Sequence, residues 1–315
     1  MTLPTVNDVQ AVEPILTNML IGYMQDDMRF VSNRVFPYVS VPNDSGTFYL
    51  VTKKYFFFDE MEQRAPGAEF ARIDFGLSTD TYSTVQWAVD HAIPDEVRAN
   101  SQVPMDLEQV AVRLLAQRSL IRKEVAWAAD FMLNGVWGTT DNNSTTDWDD
   151  ATSGDPVNDV LTASRTISNN TGIDPNTMVL GYIVHQGIMT HPDILDRLKY
   201  TGAATQDMVE NALAAIFGKA NYWVAKATYS NTNESASFSA SAIIDDDCLV
   251  CHVDAGAGMF GATAGKTFVW PGGGGAGSLY SHYDQDRHAS VIQHKEQWDQ
   301  KATATDLGYL FLDVV

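Results

Sequence analysis

Cys248 and Cys251 stand in the run "DCLVCH", with His252 immediately after the second thiol. This is the spacing at which a c-type haem is attached. Such attachment needs an oxidising compartment, and no feature of the chain suggests export. The motif also lies inside an apolar, strand-like run, where cysteine behaves as a small buried hydrophobe. Zinc would need two more ligands, and His252 is too close to Cys251 to share a tetrahedron with both thiolates. The pair reads as core cysteines.

The glycine motifs are weighed by their context. "GAGMFG" at 256–261 has the glycine pattern of a dinucleotide loop, but that loop needs a following helix whose N-terminus faces the pyrophosphate. The next residues read as strand and turn. "GATAGKT" at 261–267 leaves three residues between its glycines where a phosphate-binding loop has four. "PGGGG" at 271–275 reads as a flexible loop tip, and "DDD" at 245–247 as a solvated turn without the alternating ligands of a calcium loop. His185, His191 and Asp193 could define a metal or enzyme pocket, yet the histidines flank Gly187 and Pro192 rather than sharing one helix face. No serine, cysteine or histidine sits in a nucleophile motif. The residues point to no catalytic centre and no cofactor.

Composition narrows the classes further. With 315 residues, 45% of them hydrophobic, the chain can bury one large core or two ordinary ones. Forty acids against 20 bases give a net charge of −20, which disfavours non-specific binding to nucleic acid or to an anionic membrane. The first residues lack the basic and apolar regions of a signal peptide, and no stretch approaches the roughly 18 apolar residues of a membrane span. Two cysteines cannot build a disulfide framework. These features predict a soluble protein of a reducing cytoplasm.

The elements that must position any site follow from periodicity. Val9, Val12, Leu16, Met19, Leu20 and Tyr23 keep helical spacing over 8–25 in an otherwise irregular arm. "YVSV", flanked by Pro37 and Pro42, is a short extended piece, and "NDSG" a turn. Two β-rich runs, "TFYLVTKKYFFF" and "STDTYSTVQWAVDHAI", predict one long antiparallel hairpin with a charged tip containing Pro66-Gly67. A brief helix follows Pro94. The clearest element runs from Asp106 to Leu133, with Asp106 and Gln109 as a capping box and Asn134-Gly135 as the stop. Leu107, Val110, Leu114, Ile121, Val125, Ala128 and Met132 are its expected buried stripe, with Arg113, Arg122 and Lys123 off it. Residues 138–154 read as a polar surface loop, 155–168 as a helix, and "MVLGYIV" as a buried strand. "HQGIMTHPDILDRLK" reads as two helices broken at Pro192, and "TQDMVENALAAIFG" as another helix. "YWVAKATY", "DCLVCHV", "KTFVW" and "DLGYLFLDVV" are strands. No repeat is visible.

One stretch resists an ordinary reading. "TKKYFFFDE" at 52–60 sets four aromatics between opposite charges. In a strand, Tyr55 and Phe57 face one way, and Phe56 and Phe58 the other, so both faces are apolar. A two-stranded hairpin is not stable alone, so something outside it must cover the second face.

The order of elements resembles the major capsid protein of tailed bacteriophages, a fold shared with encapsulin nanocompartments. The resemblance is carried by "RVFPYVSVPNDSGTFYLVTKKYFFFD" at 34–59, by the long helix from Asp106, and by "DPNTMVLGYIVHQGIMTHPDILDRL" at 174–198 with its His191-Pro192-Asp193-Ile194 turn. It implies an α+β fold with an N-terminal arm (1–44) and an extended β-hairpin loop (45–90). A peripheral domain (91–172) built on a spine helix at 106–133, with help from residues near the C-terminus, and a mixed α/β axial domain with returning strands (173–315) complete it. The implied role is structural: hexamers and pentamers of one chain closing an icosahedral shell around phage double-stranded DNA, with no enzymatic activity. The same resemblance implies a separate scaffolding protein, a portal and a decoration protein as partners, and a place in the virion capsid after assembly in the host cytoplasm. No membrane is involved. The hairpin would lie on a neighbouring subunit, making Lys53, Lys54, Tyr55, Phe56, Phe57, Phe58, Glu62, Arg64 and Arg72 the candidate interface. Two of the aromatics would anchor the hairpin and two would dock. Alternatives are an encapsulin-type shell loaded with a cargo enzyme, or an α/β enzyme using His185, His191 and Asp193.

Overall fold

A computed structural model describes residues 25–315 apart from 52–56, 68, 71, 74, 75, 101–106, 143–146, 199–205, 231, 233–236, 257, 259 and 260. The helix expected over 8–25 and the capping box at Asp106 lie outside the described residues. A 3-10 turn at Asp27–Arg29 leads into α1 (Ser32–Val35), β1 (Tyr38–Ser40), β2 (Ser45–Val51), β3 (Leu77–Ser83), β4 (Val85–Pro94), α2 (Asp95–Asn100) and α3 (Leu107–Phe131). Next come β5 (Thr139–Asn142), α4 (Pro156–Thr171), β6 (Thr177–Gly181), α5 (Tyr182–Thr190), α6 (Pro192–Leu198), α7 (Gln206–Ile216) and β7 (Asn221–Ala225). The chain closes with β8 (Thr228–Tyr229), β9 (Ser241–Ala242), β10 (Cys248–Cys251), β11 (Gly265–Val269), β12 (Ser278–Asp284), β13 (Ala289–Ala302) and β14 (Gly308–Leu312).

Two five-stranded sheets organise the molecule. One runs β5-β14-β10-β6-β7 and holds the largest core. Every residue of β6 and β10 is buried, as expected of central strands covered on both faces. Val157, Val160, Ala163 and Ile167 of α4 pack into the same core, as do Val184 and Ile188 of α5. The start of α4 is set by Asp155, whose carboxylate accepts from the Asn158 N–H at 3.0 Å, with Pro156 beside it. Gly172, at φ 66°, ends it. Cys248 and Cys251 are free and fully buried here, and burial pushes the Cys251 thiol up to about 12. They are core residues without reactivity.

The other sheet runs β1-β11-β13-β12, with β4 also paired to β13. Across it lies α3, 25 residues and roughly 37 Å long at 1.5 Å per residue. Its buried stripe is Ala111, Leu115, Ser119, Lys123, Glu124, Trp127 and Phe131, not the one that apolar spacing suggests, and Leu114 is 36% exposed. The helix is turned by its charges. Lys123 Nζ lies 2.7 Å from Glu296 Oε2 on β13, inside the protein, and Ser119 Oγ donates to the same oxygen at 2.8 Å. Glu124 accepts the Val31 and Ser32 N–H groups, donors that α1 leaves unpaired at its start. Burial holds the Glu124 carboxyl above its usual range, and these backbone donors pull it back.

Several expectations are corrected. The second β-rich run is two strands: β3 pairs with β2, whereas β4 leaves the hairpin at Thr84 and pairs with β13 over ten residues. The longer partner wins the longer strand. Phe57 and Phe58 lie outside any strand, so β alternation does not extend through both. "MVLGYIV" is strand only as far as Gly181, where a Cβ would collide with the Asp245 carbonyl, and α5 begins at Tyr182. The 138–154 segment is not merely surface. It supplies β5, and Trp148 is fully buried with its Nε1–H donating to Asp159 at 2.9 Å. "PGGGG" is no loose tip, since Pro271–Gly273 form a 3-10 turn and Gly273 packs directly on Gln297.

Candidate assembly surface

The hairpin of β2 and β3 divides into a fixed root and an uncovered distal half. At the root, Phe48 and Tyr82 stack on Phe268 with centroids 5.1 and 4.9 Å away, joined by Val39 and Val41. Gly46 is needed there, because a Cβ would sit 2.7 Å from the Tyr82 hydroxyl. Hydrogen bonds fasten the exit. Thr84 N and Oγ1 both donate to Asp44 O at 2.8 Å, Gln297 Nε2 donates to Thr84 Oγ1 at 3.0 Å, and Ser83 N donates to Asp299 at 2.9 Å. The root is a separate two-stranded sheet fastened to the β13 sheet by these bonds and contacts.

Beyond it the character inverts. Tyr49, Phe57, Phe58, Met61, Phe70 and Ile73 are between 49% and 95% exposed. Single exposed apolar side chains are ordinary, but here six large ones between 49 and 73 are exposed together with Glu62, Arg64 and Arg72. Of the sequence-derived candidates, Lys53, Lys54, Tyr55 and Phe56 lie outside the described residues. Phe57 and Phe58 are exposed, and so are Glu62, Arg64 and Arg72. The Arg64 guanidinium stacks over the Phe70 ring at 4.1 Å and ties the two sides of the tip together. Phe57 also reaches toward the end of α4, within 3.4 Å of where a Cβ on Gly172 would stand.

His185, His191 and Asp193 do not assemble into a site. His185 Nδ1 lies 3.0 Å from the Tyr222 hydroxyl, burial keeps its imidazole below the usual pKa, and His191 Nε2 donates to Gly154 O at 3.0 Å. Asp193 is exposed at the start of α6. Among the described residues, no group of acids, histidines or cysteines could hold a metal ion, and no helix is long and apolar enough to cross a membrane. Sequence reasoning missed Lys123 and Glu296, which fix the long helix to the sheet, and Glu124, which fixes it to α1. The available signal was a Lys-Glu pair in mid-helix, at positions where an amphipathic register should have been apolar on at least one side.

No protein-family model matches the chain. A curated relative, the major capsid protein of Burkholderia phage BcepMu, is 26% identical over 233 residues, covering 72% of each chain. Among solved structures, a phage-related protein from Bordetella bronchiseptica RB50 superposes with a TM-score of 0.69 at 25% identity, over 96% of both chains. The mature capsid of bacteriophage PhiM1 has a TM-score of 0.56 at 9% identity, over 92% of this chain and 88% of that one, a likeness of fold alone. The chain is thus a homologue of a phage major capsid protein and carries the tailed-phage capsid fold.

Proposed function

We propose that this chain is the repeating structural unit of a phage capsid shell, with assembly as its activity. The observation that carries this reading is the hairpin: its root is fastened to the β13 sheet while its distal half leaves large apolar side chains uncovered. An exposed apolar edge is an aggregation hazard unless a defined partner covers it. A second copy of the chain is that partner. In this reading residues 1–44 form the arm, 45–90 the extended loop, 91–172 the peripheral domain around α3, and 173–315 the axial domain. Hexamers and pentamers of the one chain enclose double-stranded DNA without reading its sequence, helped by a scaffolding protein, a portal and a decoration protein, and assembly takes place in the host cytoplasm. The tip charges Glu62, Arg64 and Arg72 set register more than affinity, since rim charges contribute little energy.

The test separates assembly from folding. Met61→Asp and Phe58→Asp should each abolish particle formation, read by sedimentation, while the subunit's thermal midpoint stays within a few degrees of the parent. Parallel loss of assembly and of folding would place these side chains in the subunit's own core and defeat the proposal.

A further inference from the structure

Along β13, His294, Glu296, Trp298 and Gln300 alternate onto one side of the strand, the side on which Glu296 meets Ser119 and Lys123 of α3. Glu296 is paired with Lys123, and His294 Nε2 lies 3.7 Å from the same Glu296 oxygen. Both ring nitrogens of His294, the Trp298 Nε1–H, and both amide atoms of Gln300 are buried without a hydrogen-bond partner. The Trp87 Nε1–H of the adjoining β4 is in the same condition. Orphaned polar groups are rare in folded proteins, and a cluster of them asks what they bind.

A cavity of about 220 Å³ opens between α3 and this part of the sheet, lined by Trp87, Arg118, Ser119, Arg122, His294 and Glu296. Arg118 and Arg122 are exposed and one helical turn apart, and the Arg122 guanidinium lies 4.1 Å from the Trp87 ring. Glu296 brings no free charge, because Lys123 neutralises it from behind. Between Gln109 and Ala129 the only acid on the helix is Glu124, which is buried. Two exposed guanidinium groups therefore sit beside the unpartnered Trp87 Nε1–H and His294 ring, within a chain of net charge −20.

We infer that this cavity is a binding site for a phosphate group. Its volume lies below that of pockets for drug-sized ligands, yet it has room for a compact oxyanion with a water. Two guanidinium forks on one wall, with the indole and imidazole of Trp87 and His294 on the other, match a tetrahedral acceptor better than a flat carboxylate, which one fork satisfies. Free phosphate and a backbone phosphate of nucleic acid share this chemistry. The inference stands on the cavity alone and does not rest on the capsid reading.

The test is calorimetric titration of the full-length protein, freed of nucleic acid, at constant ionic strength. One arm uses inorganic phosphate and the other a short DNA duplex. Saturable binding of either probe is expected, weakened roughly tenfold or more by Arg118→Gln and also by Arg122→Lys, which keeps the charge and removes the fork. Binding of phosphate assigns the free anion. A duplex that binds through Arg118 while phosphate stays silent assigns the nucleic-acid backbone. Absence of saturable binding in both arms overturns the inference, and so does binding that Arg118→Gln leaves unchanged. Arg118 is exposed, so its variant should keep the parent melting curve, and that curve is recorded alongside.

Discussion

Lys123 and Glu296 form a buried pair whose value lies in being complete. Removing one partner strands a charge in the interior, so Lys123→Ala should cost roughly 3–5 kcal/mol in chemical denaturation. Replacing both by methionine should recover most of that loss, since a well-packed apolar pair avoids the desolvation. Asp247 makes a different residue-scale prediction. Burial, opposed by the Asp313 N–H and reinforced by the charges of Asp246, Asp313 and Asp245, raises its carboxyl from 3.8 to about 6. The folded state therefore binds this proton more tightly than the unfolded chain. Its contribution is present below pH 3.8 and is lost as pH rises through about 6. Asp247→Asn keeps the carbonyl acceptor and should be more stable than the parent at neutral pH by about 1–2 kcal/mol. Thermal melts between acidic and neutral pH check this, with the difference vanishing at the acid end.

Elements with strong end signals were legible in the sequence. The helix at 156–171 announces its start through Asp155 and Pro156, while the sequence reading stops it short at 168, before Gly172; Asp155→Ala should lower stability by about 1 kcal/mol, read as a shift in the denaturation midpoint. The two helices around Pro192 and the strand at β10 were equally plain. What could not be read was β13, the longest strand. "ASVIQHKEQWDQKA" shows no clean alternation because the side facing α3 carries His294, Glu296, Trp298 and Gln300 where an ordinary sheet would be apolar. Without that alternation β4 has no partner visible in the sequence and reads as part of the hairpin. The rotation of α3 was hidden for the same reason: its buried charges answer a strand far away in sequence. Among the candidate interface residues, the apolar character of Phe57 and Phe58 was legible, but their departure from strand geometry was not.

At the scale of the whole molecule, the hairpin root and tip obey different constraints. The root shares a packed cluster with β1 and β11 and should melt with the subunit. The tip presents Met61 and Phe70 at 95% and 80% exposure, a surface that the proposed assembly would bury against another copy. At roughly 25 cal/mol per Å² of apolar area removed from water, several such side chains supply a substantial part of the drive for association, while leaving the isolated fold nearly untouched. Negative-stain electron microscopy of the purified chain, alone and with the scaffolding protein that the proposal expects, tests this most directly. The account predicts closed shells, tubes or capsomer rings, and a clean monomer at high concentration in both preparations would contradict it.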